Sequence, residues 1–374
     1  MGLGLSKLNS MDEGAYGRGI GHWVPFDATD PRVIETGRFT RTEEGGLTFH
    51  YAGSQVRCRT TSRHIAFDAE NVSDRRGLIS FGMRVGGSPE IVIPIPRGRN
   101  RVVATIGLPE GEKEITLYRR SDNWDGPATL HQILLDSSSA LLAGPVRPTR
   151  RMECYGDSVT AGGGADAAGY EGLADSFVGL WGAEDVLNNG AHSYAAMAAR
   201  ALDAEAHLLG IGGLAVLDGT GYHDGPENML GWETTWDKIS PLREGLQPWD
   251  FSQFRPHLVT VALGQNDGST LAPGDEPVPD RWKARYREIL EKLLEVHPEA
   301  AFLLFTTVLC HDLKWDRAIA ETAQDLARAY PGRKIEFLAF TRAGMGTPGH
   351  PRFAEQEEMA AELVAKIVSM ELAW

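Results

Sequence analysis

The sequence predicts an α/β chain in two parts: a β-sandwich of jelly-roll type, then a three-layer domain on a doubly wound parallel sheet. Three observations predict it. From about residue 37 to residue 142, apolar and polar residues alternate with period two. After Arg150 the alternation gives way to short apolar runs separated by helix-period stripes. Those runs end in glycine-rich turns, and in parallel sheets ligands bind beyond such strand ends.

The strands of the first half are short and clearly punctuated. Leu47, Phe49 and Tyr51 share one face, as do Ile79, Phe81, Met83 and Val85, and then Ile91, Ile93 and Ile95. Gly45-Gly46, Gly86-Gly87-Ser88-Pro89 and Pro109-Glu-Gly111 supply the turns between runs. Arg147-Pro148-Thr149 reads as the linker, because the periodicity changes just after it. The expected division is residues 1–35 as an extension, 36–146 as the sandwich and 147–374 as the second domain. The sandwich has two readings: a carbohydrate-binding module in its own right, or a structural partner that walls one side of a site. Trp124 sits on a loop, where it either faces a ligand or is half-buried packing.

In the second half, Met152–Tyr155, His207–Ile211, Leu258–Leu263, Ala301–Leu309 and Lys334–Phe340 are apolar on both faces, as strands of a covered parallel sheet are. Ser193 to Leu202 is rich in strong helix formers. From Asp280 to His297, Trp282, Tyr286, Ile289, Leu290, Leu293 and Leu294 form one stripe, stopped by Pro298. Leu313 to Tyr330 repeats the pattern before Pro331-Gly332, and a last helix runs from about Arg352 to Leu372.

Composition narrows the function. The chain has 374 residues, 42% hydrophobic and 24% charged, which suits two or three globular domains. It has no apolar run long enough to span a membrane, so no membrane partner is expected. Its first ten residues lack a basic start and an apolar core, so the expectation is a cytoplasmic protein without a signal peptide. A net charge of −14 disfavours nucleic acid and leaves a small neutral or cationic substrate. Cys58, Cys154 and Cys310 are odd in number and widely spaced, which suits reduced cysteines. His223-Asp224 and His311-Asp312 lack metal-ligand spacing, and Gly162-Gly163-Gly164 lacks the lysine of a phosphate loop. No metal and no cofactor is expected.

Four strand-end or loop residues carry chemistry. Ser158 follows the first strand in Gly156-Asp157-Ser158, either as a nucleophile on a sharp turn or as a helix-capping serine. Gly213 follows the second, and its backbone N–H either approaches a ligand closely or merely closes a turn. Gly190 is a rival for that place. Asn266, in Gly264-Gln-Asn-Asp267, either donates to a developing oxyanion or forms an Asx-turn. His350 lies in a Gly/Pro-fixed loop before the last helix, a position that favours a neutral imidazole able to act as general base. The other reading is a surface histidine, one of eleven in the chain.

Taken together and in this order, these motifs resemble the GDS-type SGNH superfamily of serine hydrolases. The whole chain from about residue 30 to 370 resembles the two-domain acetyl esterases of carbohydrate esterase family two. Thr36-Gly37-Arg38-Phe39, Leu134-Leu-Asp136, the Ser193–Leu202 stretch and Trp249-Asp-Phe-Ser252 all contribute to the likeness. The resemblance implies a serine esterase removing O-acetyl groups from a sugar or oligosaccharide through an acyl-serine. It casts Ser158 as nucleophile, His350 as base, and Ser158 N–H, Gly213 N–H and the Asn266 amide as the oxyanion site. Two departures stand out. Where the superfamily has an aspartate three residues before its histidine, this chain has Thr347, and no carboxylate lies between Thr341 and Arg352. A Ser158–His350 dyad is therefore expected, or a third group drawn from elsewhere. Where family members often carry an aromatic before the histidine, this chain has Gly349, and Gly268 is equally bare. Trp232 and Trp236 are the candidate replacements for a sugar platform, with packing of their insertion as the other reading. Two alternatives stay open: a short-chain acyl or aryl esterase or lipase, and a carbohydrate-binding protein on a decayed hydrolase scaffold.

Overall fold

The computed structural model describes residues 22–73, 78–122, 125–179, 186–221, 230–241 and 246–374. In the first half, strands β1 (Trp23–Asp27), β2 (Ile34–Thr36), β3 (Phe39–Arg41), β4 (Leu47–Phe49), β5 (Gln55–Thr60) and β6 (His64–Asn71) are followed by β7 (Leu78–Val85), β8 (Ile91–Pro96), β9 (Gly98–Ile106), β10 (Lys113–Arg119) and β11 (Ala128–Asp136). They pair antiparallel into two sheets. One runs β3-β4-β11-β6-β9 with β1 also on β11, the other β2-β5-β10-β7-β8. The inward residues of the period-two pattern, including Leu47, Phe49, Phe67, Phe81, Met83, Ile115 and Leu130, meet in one core between the sheets. Residues 22–35, expected to be an extension, supply β1 and most of β2. Pro25 obscured the first of these in the sequence, since proline weakens a strand pattern and is tolerated at edges. Among the described residues, β1 pairs with β11 alone.

The second half builds a parallel sheet from β12 (Arg150–Gly156), β13 (Ala204–Gly210), β14 (Leu258–Ala262), β15 (Ala301–Phe305) and β16 (Ile335–Phe337). Its order is β13-β12-β14-β15-β16. The helices described are α1 (Asp175–Val178), α2 (Tyr194–Ala201), α3 (Trp232–Thr235), α4 (Gln265–Thr270), α5 (Asp280–Val296), α6 (Lys314–Ala329) and α7 (Phe353–Ser369). Alternate strand residues divide between two cores. Tyr155, Val259, Val261, Phe302 and Leu304 pack under α5 and α6, while Cys154, Leu258, Leu303 and Phe305 pack under α2 and α7. This division explains why the strands read as apolar throughout. Because β12 lies between β13 and β14, the chain leaves it at the point where the strand order reverses, which is where open α/β sheets bind ligands.

The two halves are fastened by buried charge. Arg38, fully buried, donates from Nη2 to Glu153 Oε1 (2.5 Å) and the Tyr155 hydroxyl (2.8 Å), and from Nη1 to the carbonyls of Trp236 (3.1 Å) and Lys238 (2.6 Å). Further round the interface, Gly190 N–H donates to the Arg120 carbonyl at 2.8 Å.

Candidate active site

Ser158 stands on the turn that leaves β12. Asp157 shapes that turn: its carbonyl accepts from Ala161 N–H (3.0 Å) and its Oδ1 from Val159 N–H (3.0 Å). The Ser158 carbonyl accepts from Gly163 N–H at 2.8 Å. The serine is only 4% exposed, and its Oγ lies 2.6 Å from His350 Nε2. The imidazole reaches it because Gly163 has no side chain. A Cβ there would stand 2.9 Å from His350 Cδ2, which gives the glycine run after the serine its structural reason.

The expected dyad is corrected by what touches the other ring nitrogen. His350 Nδ1 lies 2.7 Å from Asp175 Oδ2, and His350 N–H donates to both oxygens of that carboxylate at 3.1 Å. Asp175 begins α1, 175 residues before the histidine in sequence. Arg352, fully buried, holds it from behind, donating from Nη1 to Asp175 Oδ1 and from Nη2 to the Leu173 carbonyl, both at 2.8 Å. Burial pushes the Asp175 carboxyl up, but its bonds to His350 and Arg352 outweigh that and hold it below the ordinary carboxylate value. Thr347, at the position of the missing aspartate, accepts on Oγ1 from Gly172 N–H (2.9 Å) and so ties down the segment that carries Asp175.

Opposite the serine, Ile211 to Leu214 forms a tight turn after β13, with Gly213 in the left-handed region at φ +70°. Ile211 N–H donates to the Gly156 carbonyl (3.1 Å), Gly212 N–H to Asp122 Oδ1 (3.2 Å) and Leu214 N–H to the Ile211 carbonyl (3.1 Å). Among the described residues, Gly213 N–H and Ser158 N–H have no protein acceptor. Gly190, the rival, belongs to the interface between the halves: a Cβ on it would stand 2.4 Å from Gly53 N.

Asn266 lies in the first turn of α4, beside this turn. Its Nδ2 donates to Asp157 Oδ2 (2.9 Å) and to the Leu214 carbonyl (3.1 Å). Both amide hydrogens are thus committed, and an oxyanion would have to displace the Leu214 carbonyl to receive one. Gln265 Nε2 also donates to Asp157 Oδ2, at 2.5 Å. Burial pushes the Asp157 carboxyl up to about 6 and that of Asp267 up to about 7.

The aromatic platform expected from Trp232 and Trp236 is not there. Trp232 is 1% exposed, with its ring against Tyr155 and Tyr286 in the core. Trp236 is half-buried and stacked on Phe251, with ring centroids 5.7 Å apart. Both side chains are spent on packing the insertion, where apolar area is most favourably buried. Trp124 lies outside the described residues. Gly268 is bare because a Cβ there would stand 2.9 Å from Trp315 Nε1. Away from Ser158, Glu90, Asp166 and His192 bring ligand atoms within 4.8 Å of one another. Arg120 and Asn189 already bond both carboxylates, so the chain itself occupies the acceptors of this cluster.

Residues 154–366 match the model of the GDSL-like Lipase/Acylhydrolase family, and residues 35–145 match the Carbohydrate esterase 2 N-terminal model. An acetylxylan esterase/glucomannan deacetylase of Cellvibrio japonicus is 25% identical over 344 residues, covering 91% of this chain and 89% of that protein. The cellulase/esterase CelE of Acetivibrio thermocellus is 25% identical over 359 residues, covering 93% of this chain but only 40% of that longer protein. Among solved structures, a family two carbohydrate esterase from Cellvibrio japonicus has a TM-score of 0.76 at 22% identity, covering 93% of this chain and 98% of that one. Another from Clostridium thermocellum, in complex with cellohexaose, has a TM-score of 0.76 at 23% identity, covering 90% and 98%.

Proposed function

Since the chain belongs to the GDSL-like lipase/acylhydrolase family, we propose that it is a serine esterase that removes O-acetyl groups from a sugar or oligosaccharide. One observation carries the reading: Ser158 Oγ, His350 and Asp175 form a continuous hydrogen-bonded line at the switch point of the sheet. The name of one relative, an acetylxylan esterase/glucomannan deacetylase, supports an acetylated polysaccharide as the substrate class, and that of the other, a cellulase/esterase, supports ester chemistry on a polysaccharide.

Ser158 Oγ attacks the acetyl carbonyl while His350 Nε2 takes the hydroxyl proton. Asp175 accepts from Nδ1–H, which fixes the tautomer and stabilises the imidazolium. The charge on the tetrahedral oxygen is received by Ser158 N–H and Gly213 N–H, with Asn266 as a third donor once Leu214 releases it. Each aimed donor contributes roughly 2.7–4 kcal/mol. Collapse breaks the acyl C–O bond, and His350 gives its proton to the departing sugar hydroxyl. Water, deprotonated by the same nitrogen, then attacks the acyl-serine; the bond from Ser158 Oγ to the acyl carbon breaks, His350 returns its proton to Oγ, and acetate leaves.

A second reading follows from the surface around Asp175. Tyr170, Leu173 and Phe177 (74% exposed) present apolar side chains on that segment, while Trp232 and Trp236 are turned to packing. This favours a short-chain acyl or aryl ester.

Hydrolysis of p-nitrophenyl acetate by wild type and Ser158→Ala tests the chemistry. Wild type should be active and the variant at least about 10⁴-fold slower. Equal rates, or none, would move a carbohydrate-binding protein to the front. Release of acetate from acetylated xylan with rejection of p-nitrophenyl butyrate supports the sugar substrate, and the reverse pattern supports the second reading.

A further inference from the structure

The loop that presents Gly213 N–H is anchored almost entirely from within its own domain. Ile211 N–H is held by β12, Leu214 N–H by its own turn, the Leu214 carbonyl by Asn266, and Val216 N–H by Asp267 Oδ1 at 3.0 Å. Gly212 N–H, on the residue preceding Gly213, is held from the other half of the chain. It donates to Asp122 Oδ1, on the loop between β10 and β11 of the sandwich, at 3.2 Å.

Asp122 is built to hold that position. It is 4% exposed, and its carbonyl accepts from Arg119 Nη2 at 2.5 Å. Arg119, fully buried at the end of β10, also donates to the carbonyls of Phe49 (2.8 Å), Ser121 (2.9 Å) and Gly126 (2.6 Å). One guanidinium thus fixes both ends of the loop. The next residue, Arg120, fixes the loop to the second domain: its carbonyl accepts from Gly190 N–H, and its side chain bonds Asp166.

We propose that Asp122 is a positioning residue: by taking Gly212 N–H, it turns the following peptide so that Gly213 N–H stays free and directed at the acyl oxygen. The sandwich is then part of the catalytic apparatus. The inference rests on the esterase reading above, because it assigns Gly213 a role in that chemistry. The peptide geometry matters because a donor misaimed by a fraction of an ångström loses most of its effect on the transition state.

The test is steady-state hydrolysis of p-nitrophenyl acetate by wild type, Asp122→Ala, Asp122→Asn and Ser158→Ala, with thermal unfolding of each. Asparagine retains an acceptor oxygen at the same place, so it should keep kcat within about threefold of wild type. Alanine should lower kcat by about 10- to 100-fold with KM nearly unchanged, while the folded fraction at the assay temperature stays near one. A kcat within twofold of wild type in Asp122→Ala overturns the proposal, as does an equal loss in the alanine and asparagine variants. An inactive wild type, or activity that survives Ser158→Ala, overturns the esterase reading instead, so the two failures are told apart.

Discussion

Gly349 makes the room that Asp175 occupies. A Cβ on Gly349 would stand 2.4 Å from Asp175 Cγ and 2.5 Å from its Oδ1, and the backbone there already lies at φ +136°, where side chains are strained. Gly349 before the histidine and the carboxylate that reaches the imidazole from α1 therefore go together. A carboxylate arriving from α1 needs the space that an aromatic would fill. Thr347, relieved of orienting the imidazole, instead fastens the segment that delivers Asp175.

Gly349→Ala should cost activity through Asp175. The expected loss in kcat toward p-nitrophenyl acetate is about 10²-fold or more, like that of Asp175→Ala. Adding Asp175→Ala to Gly349→Ala should lower kcat by little further, since both remove the same carboxylate from Nδ1. Steady-state kinetics of the two single variants and the double check this. Two independent, multiplying losses would mean that Gly349 acts through something other than Asp175.

The sequence carried the two-part architecture clearly, because period two and helix-period stripes are long signals. The limits of the long helices were legible to within about three residues: the Asp280–His297 stripe became Asp280–Val296, the last helix ended at Ser369 rather than Leu372, and Ser193 caps α2 by accepting from Ala196 N–H. Ser158 and His350, mounted on motifs at a strand end and a helix start, were legible for the same reason. Asp175 was not. It sits at the start of a four-residue helix, and no local pattern links it to a histidine 175 residues away. The pair of oddities at 347 and 349 was the available signal, and only the geometry joins them. Trp232 misled because an aromatic in a long insertion looks alike in sequence whether it faces a ligand or a core.

Asp267 makes stability depend on pH in a definite direction. Burial raises its carboxyl from an ordinary 3.8 to about 7, and the nearby Asp157, itself raised to about 6, adds to the effect. The folded state therefore holds a proton that the unfolded chain has lost. This contribution is fully present below about pH 4 and disappears as pH rises through about 7, at up to about 1.4 kcal/mol per pH unit for each such group. Carboxyls held low, such as Glu153 at about 2, change stability only on the acid side of this window. Urea midpoints at pH 5, 6, 7 and 8 should fall for wild type and fall less steeply for Asp267→Asn. Identical slopes would show that this carboxyl does not titrate there.

Arg38 and Glu153 join the sandwich to the first strand of the sheet, and both are fully buried at 2.5 Å. Burial alone would drive the Glu153 carboxyl up, yet the Arg38 charge and His297, whose Nε2 lies 2.9 Å from Glu153 Oε2, bring it down to about 2. Removing one partner strands the other fully buried and uncompensated, so the loss exceeds the net worth of the pair. Arg38→Met should destabilise the chain by about 3–5 kcal/mol, and Glu153→Gln should also destabilise it. The double variant should lose clearly less than the sum, because no uncompensated charge is left behind. Arg38 also donates to the carbonyls of Trp236 and Lys238, so some loss should persist in the double variant. Urea unfolding of the four proteins at pH 7 gives the cycle. Strict additivity would mean that the two halves are held together elsewhere along their interface and that this pair is incidental to their docking.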